Sequence, residues 1–468
     1  MNYIGTRGFA KDKISGTKTF ADALLDGLAP DGGLYLPHAY PTREAGEWSA
    51  LAKGDYAALT RTLLSDFAVD VGEAASEAAC AATARAFLRA DGSVPLTQLD
   101  DDLWLLELWH GPTLAFKDMA MQMMAELTSG ALRQRNETLT LVTATSGDTG
   151  AAAVRAFAGA ERVRLVVFHP LGRVSPVQRL QMTTVEADNV LNIGVAGDFD
   201  DCQRMVKSLL GNAGLRERGL ISSVNSINWG RLLGQVPYYL AAAAASGARH
   251  PEFVVPTGNF GDAFAGWVAR RIGGNIGHLH AAVNSNDALA EVINDGRYIR
   301  RPAVETASVS MDVQAPSNFE RLVFEASGRD ATITRGFFNT YGAVGAADVL
   351  PDLQYALRAE VTASSVDETQ TAAAIRHAWD AYHQVICPHT AVALAAALER
   401  RSAQKNTSPQ IVLATAHPAK FPDFVAGALG FRPEVPEAIQ RLQGLKETIR
   451  DIANDDAAAL AAVTAFTA

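Results

Sequence analysis

"EFVVPTGNFGDAFAGWVARRIG", residues 252–273, joins three kinds of chain in one line. Residues 252–257 form an apolar, β-rich run of strand length. "GNFG" (258–261) is a turn in which two glycines free the backbone. From residue 261 apolar positions recur at helical spacing. A strand that ends in a glycine turn and opens a helix is half of a βαβ unit. The same order recurs on both sides. Strands are expected at 138–145, 162–170, 189–195, 220–225 and 278–284, with helices at 150–160, 175–185, 201–212, 229–245 and 261–273. Such alternation implies crossover connections and a largely parallel sheet.

Outside this block the pattern changes. Residues 1–95 read as a mixed α/β opening segment, with helical spacing at 48–69 and 74–90. The block itself spans 96–350. Residues 351–468 read as mostly helical, as in 371–385 and 390–401, with one late strand at 410–417. A length of 468 residues fits two or three domains.

Hydrophobic residues make up 48% and charged residues 20%, a globular balance. The net charge of −10 argues against a nucleic-acid-binding surface. Cys80, Cys202 and Cys387 lie far apart and suggest no disulfide framework. The polar N-terminus does not read as a secretory signal, and the apolar runs are too short to span a bilayer. A cytoplasmic protein is expected.

Ligands of open α/β sheets bind beyond the carboxyl ends of the strands. Four polar stretches fall there: "TATSGDTG" (143–150), "NSINWGR" (225–231), "PTGNFGD" (256–262) and "TAHPAKF" (415–421). The 256–262 turn can offer helix N–H groups to a phosphate, or be a plain tight turn. In 143–150, Ser146, Thr149 and the backbone can bind a carboxylate, or simply cap a helix. In 225–231, Arg231 with Ser226 and Asn228 suits an oxyanion, or marks a helix start with a solvated arginine. His278, His280, His377, His383 and His389 lack metal-ligand spacing and read as core or surface residues, so no metal is expected.

Lys117 stands apart from the other lysines. Lys11, Lys13, Lys405 and most of the rest have polar neighbours and read as solvated, whereas Lys117 follows Leu114, Ala115 and Phe116 and precedes Met119, Ala120 and Met121. A desolvated lysine has a lowered pKa, and its neutral amine can attack a carbonyl. That is how a lysine holds pyridoxal phosphate as a Schiff base. A snorkelling side chain or an ion pair with Asp118 is the structural alternative.

Together "HGPTLAFKD", "TATSGDTGAAA", "GRVSPVQ", "NSINWGRLLGQ", "PTGNFGD" and "TAHPAKF", in that order, resemble the threonine synthase family, in its longer form with an extra N-terminal domain. The opening "MNYIGTRG…APDGGLYLP" is similar to that domain's signature, so the resemblance runs from residue 1 to about 430. Met119-Ala120-Met121 and Gly230 depart from the family pattern without removing a reacting group.

The resemblance implies the fold type II architecture of pyridoxal-phosphate enzymes: two parallel-sheet α/β domains around a central cleft, plus an N-terminal α/β domain. Residues 351–468 would complete the cofactor site. By the same likeness Lys117 carries pyridoxal 5'-phosphate, Gly258, Asn259, Phe260, Gly261 and Asp262 cradle its phosphate, and Thr415 bonds its ring nitrogen. Thr145, Ser146, Gly147, Asp148 and Thr149 would hold the substrate carboxylate. Ser226, Asn228, Arg231 and Lys420 would hold the substrate phosphate. The implied reaction turns O-phospho-L-homoserine and water into L-threonine and phosphate, in a monomer or small homo-oligomer. The alternatives are a related phospho-amino-acid lyase and a threonine or serine dehydratase. His110 either touches the cofactor or braces the Gly111-Pro112 turn, and the turn is the favoured expectation.

Overall fold

The computed structural model describes residues 1–8, 17–403 and 408–467. Lys11, Lys13 and Lys405 lie outside the described residues. Two sheets carry the architecture. The larger has six strands in the order Val361–Ser365, Leu279–Val283, Glu252–Pro256, Gln410–Ala414, Leu103–Glu107, Leu96–Asp100. Every neighbouring pair is parallel except the last, an antiparallel hairpin. The smaller has five parallel strands, ordered Arg450–Ala453, Val190–Ala196, Val163–Pro170, Leu139–Ala144, Leu220–Ser222.

The central strands read as apolar runs because both of their faces are buried. Four strands of the two sheets escape the sequence pattern, one of them the buried Leu103–Glu107, an apolar run too short to be told from a helix segment. Leu96–Asp100, Val361–Ser365 and Arg450–Ala453 are sheet edges, half-exposed and rich in polar residues, so they carry little period-2 signal. The last two lie in the region expected to be mostly helical. Residues 351–468 therefore contribute strands to both sheets.

Two expected helices are broken, each for a local reason. The 48–69 pattern divides into Ala45–Gly54 and Tyr56–Phe67 because Asp55 leaves the helical region and accepts a hydrogen bond from Ala57 N at 3.0 Å, capping the second helix. The 229–245 pattern divides into Trp229–Leu233 and Val236–Ser246. Pro237, at the start of the second helix, lacks an N–H.

The N-terminal segment pairs Tyr3–Gly5 with Tyr35–Pro37 and packs four helices against the catalytic body. Its docking is tight at Gly273. Arg43 N and Trp48 Nε1 both donate to Ile272 O, at 3.0 and 2.9 Å. Gly273 has φ +97°, and a Cβ there would lie 1.9 Å from Arg43 O. Gly273→Ala is expected to cost roughly 3 kcal/mol or more, from backbone strain and the forced separation. Thermal melting of the variant checks this; an unchanged melting temperature contradicts the docking.

Candidate active site

Lys117 opens the helix Lys117–Arg135, and a self-braced loop holds it there. Asp118 accepts from Thr113 N at 2.9 Å and from Thr113 Oγ1 at 2.7 Å. Gly111 lies so close that a Cβ would meet the Asp118 carboxylate at 2.5 Å. The loop is also stitched to the end of strand Gln410–Ala414: Phe116 N donates to Thr415 O at 2.9 Å, and His417 N donates to Leu114 O at 3.0 Å. Lys117 and Thr415 are thus fixed relative to one another. His110 Nε2 lies 2.9 Å from Glu107 Oε2, which places it in a polar cluster with Arg89 and Thr97.

Both sheets abut a cleft of about 2340 Å³ lined by Lys117, Thr415, the glycine turn, Ser146, Thr149, Ser226 and Arg231. Lys117 is buried, with its Nζ 3.4 Å from Asp148 Oδ2 and 3.4 Å from Ser310 Oγ. Burial pushes its pKa below the ordinary lysine value. Asp148 opposes that shift; Arg231 and Lys420 reinforce it. The snorkelling alternative does not fit a buried amine.

The glycine turn is strained as well as permissive. Phe260 adopts φ +62° although it is not glycine, and its buried ring packs edge-on against Phe319. Gly258 leaves room for Ser310 O, which a Cβ would meet at 2.5 Å. The turn opens the helix Gly261–Arg271, whose first N–H groups have no partner within the helix. Asp262 lies in that first turn. Its Oδ1 accepts from Tyr238 OH at 2.5 Å and Tyr239 OH at 2.8 Å, and its Oδ2 is buried without a partner. Burial raises this carboxyl to about 6.

That shift has a stability consequence. The folded chain holds the Asp262 proton to a higher pH than the unfolded chain does. Stability is therefore greatest below the unfolded value of about 4 and falls as pH rises through about 6. Asp262→Asn removes this loss. The cofactor-free variant is expected to gain on the order of 2 kcal/mol over the parent at pH above 6, and nothing below about pH 4. Melting curves at the two pH values check it, and a pH-independent difference refutes it.

The other expected site residues are held as follows. Thr145 Oγ1 accepts from Gly147 N and Gly150 N, both at 2.9 Å, and so braces the turn that opens the helix Asp148–Phe157. Gly147 (φ +143°) is packed against Gln178, which a Cβ would meet at 2.3 Å. Asn228 is fully buried, caps Trp229–Leu233 through Gly230 N at 2.9 Å, and donates to Leu24 O at 2.8 Å; both ends of its amide are used. Lys420 is fully buried and bonded to Asp148 Oδ1 and Thr113 O, each at 2.7 Å, so it does not reach the cleft as a free cation. Ser146 and Thr149 do line the cleft, with hydroxyls that no other described residue engages.

Two buried arginines show where binding capacity remains. Arg321 donates to Tyr35 O, Asn318 Oδ1 and Ile227 O, tying the N-terminal segment to the 225–231 loop. The Arg231 guanidinium makes one hydrogen bond, Nη1 to Val224 O at 3.0 Å, and no ion pair among the described residues. Burial alone pulls its pKa down to about 10. A buried guanidinium with spare donors is built for an anion.

Ser310, His389 and Gln178 have no counterpart among the expected site residues. Ser310 N donates to His389 Nε2 at 3.1 Å, which fixes the Ser310 hydroxyl beside Lys117. His389 is a buried wall of the cleft, kept neutral by burial, with its pKa pushed down to about 3. Gln178 Nε2 donates to Asp148 Oδ1 at 2.8 Å. Gln178 lies in "GRVSPVQ", which therefore carried a usable signal; Ser310 and His389 lie in no strand–turn–helix motif.

A buried amine of lowered pKa and a glycine turn at a helix start fit pyridoxal phosphate. The comparisons agree. The family model "Threonine synthase N terminus" matches residues 2–83, "Pyridoxal-phosphate dependent enzyme" residues 81–336, and "Threonine synthase, C-terminal" residues 390–464. The threonine synthase of Corynebacterium glutamicum is 40% identical, over 97% of this chain and 96% of the relative. That of Pseudomonas aeruginosa is 38% identical, over 100% and 98%. The solved structure of PLP-bound threonine synthase from Brucella melitensis superposes with TM-score 0.94 at 41% identity, covering 100% of this chain and 99% of that one. The yeast enzyme gives 0.92 at 32% identity, covering 99% and 98%. The chain belongs to the threonine synthase family of pyridoxal-phosphate-dependent enzymes.

Proposed function

We propose that the chain converts O-phospho-L-homoserine and water to L-threonine and inorganic phosphate, with pyridoxal 5'-phosphate held on Lys117. The observation that carries the substrate is Arg231, a buried guanidinium with unused donors in the cleft that Lys117 lines. The cofactor's own phosphate is accounted for by the glycine turn Gly258, Asn259, Phe260 and Gly261, with Asp262 beneath it. A second anion is needed to answer Arg231. A dehydratase substrate brings no phosphate, so Arg231 weighs against that alternative.

Thr415 is the partner we assign to the cofactor's ring nitrogen, and Ser146 and Thr149 to the substrate carboxylate. Ser226 joins Arg231 at the substrate phosphate. When bound, the cofactor supplies an electron sink conjugated with the substrate's Cα. Lys117, freed by the substrate's amine, moves protons at Cα and at the carbon beyond it. Phosphate would leave from Cγ, which then takes up a proton to become the methyl group, and the hydroxyl of water would add at Cβ. We divide the chain functionally into residues 1–95, 96–350 and 351–468. We read it as a cytoplasmic monomer or small homo-oligomer without nucleic-acid or membrane partners. Three unpaired buried cysteines support the reducing compartment. No helix of the described residues is long and apolar enough to cross a membrane.

The deciding experiment incubates the purified protein with O-phosphohomoserine, measures phosphate release and identifies the organic product. Threonine is expected. Release of 2-oxobutanoate instead makes the chain a phospho-amino-acid lyase, which uses the same two anion sites without hydrating.

A further inference from the structure

Two buried lysines share one carboxylate. Asp148 Oδ2 faces Lys117 Nζ at 3.4 Å, while Oδ1 is held by Lys420 Nζ at 2.7 Å and Gln178 Nε2 at 2.8 Å. Lys420 has no exposure to solvent and is anchored behind Asp148 by Thr113 O, also at 2.7 Å. The shorter contact goes to the lysine that lies off the cleft, and the longer one to the lysine on it.

This asymmetry bears on Lys117 as a base. A buried amine beside a lone carboxylate is stabilised as an ammonium and gives up its proton reluctantly. A base must be neutral at the moment it acts. A fixed ammonium on the far oxygen draws the carboxylate's charge away and adds its own repulsion. The other polar groups around Lys117 do not substitute for it. Arg231, from the helix Trp229–Leu233, is cationic but does not bond Asp148; Asp262, from Gly261–Arg271, is held by two tyrosines; His389, from Pro388–Ala403, is neutral. Asp118, adjacent on the same helix, is taken up by Thr113. Ser310 Oγ, 3.5 Å from Asp148 Oδ2, carries no charge.

We propose that Lys420 is a positioning residue that acts through Asp148: by occupying the far oxygen it keeps the carboxylate from becoming a full counter-ion to Lys117, so that the released Lys117 amine is a free base at neutral pH. The proposal rests on Lys117 being the cofactor lysine. It agrees with the direction in which Lys420 moves Lys117, downward. It also gives Lys420 a role that does not require contact with the substrate.

The test uses holoenzyme of the parent, Lys420→Met, Lys420→Arg, Asp148→Asn and the Asp148→Asn/Lys420→Met double variant. The visible absorbance of the cofactor is titrated with pH, and kcat and KM are measured across the same range. In Lys420→Met the titration midpoint is expected to move up by about one pH unit or more. At neutral pH kcat falls roughly tenfold, while KM stays within about twofold. Lys420→Arg, which keeps the charge, stays near the parent. In the Asp148→Asn background, removing Lys420 moves the midpoint by clearly less, because only its direct repulsion of Lys117 remains. An unmoved midpoint in Lys420→Met, an equal shift on the Asp148→Asn background, or a Lys420→Arg enzyme that behaves like Lys420→Met each overturns the proposal. If Lys420→Met does not retain cofactor, Lys420→Gln is read by the same criteria. Borohydride separates this idea from the one beneath it. Failure to fix cofactor to Lys117 in the parent removes the underlying assignment, whereas an unmoved midpoint with that mark intact removes only the role of Lys420.

Discussion

Lys117→Ala is expected to leave no measurable turnover, a loss of at least about 10³–10⁴-fold, because one side chain supplies both the covalent hold on the cofactor and the proton transfers. The fold should survive. The helix Lys117–Arg135 keeps its fully buried methionines and Leu127, and Asp118 still braces the loop through Thr113. Alanine also suits a helix start and relieves the burial of a charge. Borohydride treatment of the holoenzyme followed by peptide mapping should mark Lys117 in the parent and nothing in the variant. Full activity in Lys117→Ala, or a mark on Lys420, ends the assignment.

Arg231→Met carries the second large effect. A bidentate charge-assisted contact with a phosphate dianion supplies about 3 kcal/mol, so KM for the phosphorylated substrate should rise by roughly 10²-fold. Cofactor affinity, measured by titration into apoprotein, should change little, since the glycine turn is a separate anion site. Without substrate the variant should melt at a higher temperature than the parent. The buried guanidinium has one hydrogen bond and no counter-ion in the ligand-free protein, and methionine fills similar space without that penalty. Weakened substrate binding together with raised stability is the signature of a residue kept for its ligand. Equal weakening of cofactor and substrate would place Arg231 at the cofactor phosphate instead.

The two arginines show how far local sequence can be trusted. Arg231 was legible because it follows Asn225 and Ser226 at a strand end, where ligands gather. Arg321 is more deeply buried and carries no such signal, yet its partners Tyr35 and Ile227 come from segments 286 and 94 residues away. In the same stretch Asn228 reads as a ligand donor, whereas in the structure its amide is engaged by Gly230 N and Leu24 O. An amide that caps a helix and an amide that binds phosphate look alike in sequence, because both serve unpaired N–H or anionic groups near a helix start. Only the position of Leu24 O, 204 residues away, decides between them.

Lys420 follows the same logic. "TAHPAKF" puts it near the end of a central strand, so a role at the site could be read, but the identity of its partner could not. That partner, Asp148, lies on the smaller sheet's side of the cleft, and nothing in the spacing of 148 and 420 brings them together. Ser310 and His389 sit in no strand–turn–helix unit: Ser310 gains its place by touching Lys117, and His389 by accepting from Ser310 N.

By itself, then, the sequence determined what short-range physics controls. Apolar runs marked most of the buried strands and the 3.6 periodicity the helices, the glycine turn marked a helix start open to an anion, and an apolar neighbourhood marked Lys117 as an amine held out of water. Tertiary structure alone decided which buried charge has a partner. Asp148 answers Lys117 and Lys420 at once, Arg321 is held by three acceptors, and Arg231 has one. The reason is the range of the interactions: turn and helix preferences act over a few residues, whereas the cost of burying a charge is settled by whichever distant segment the topology brings within about 3 Å of it.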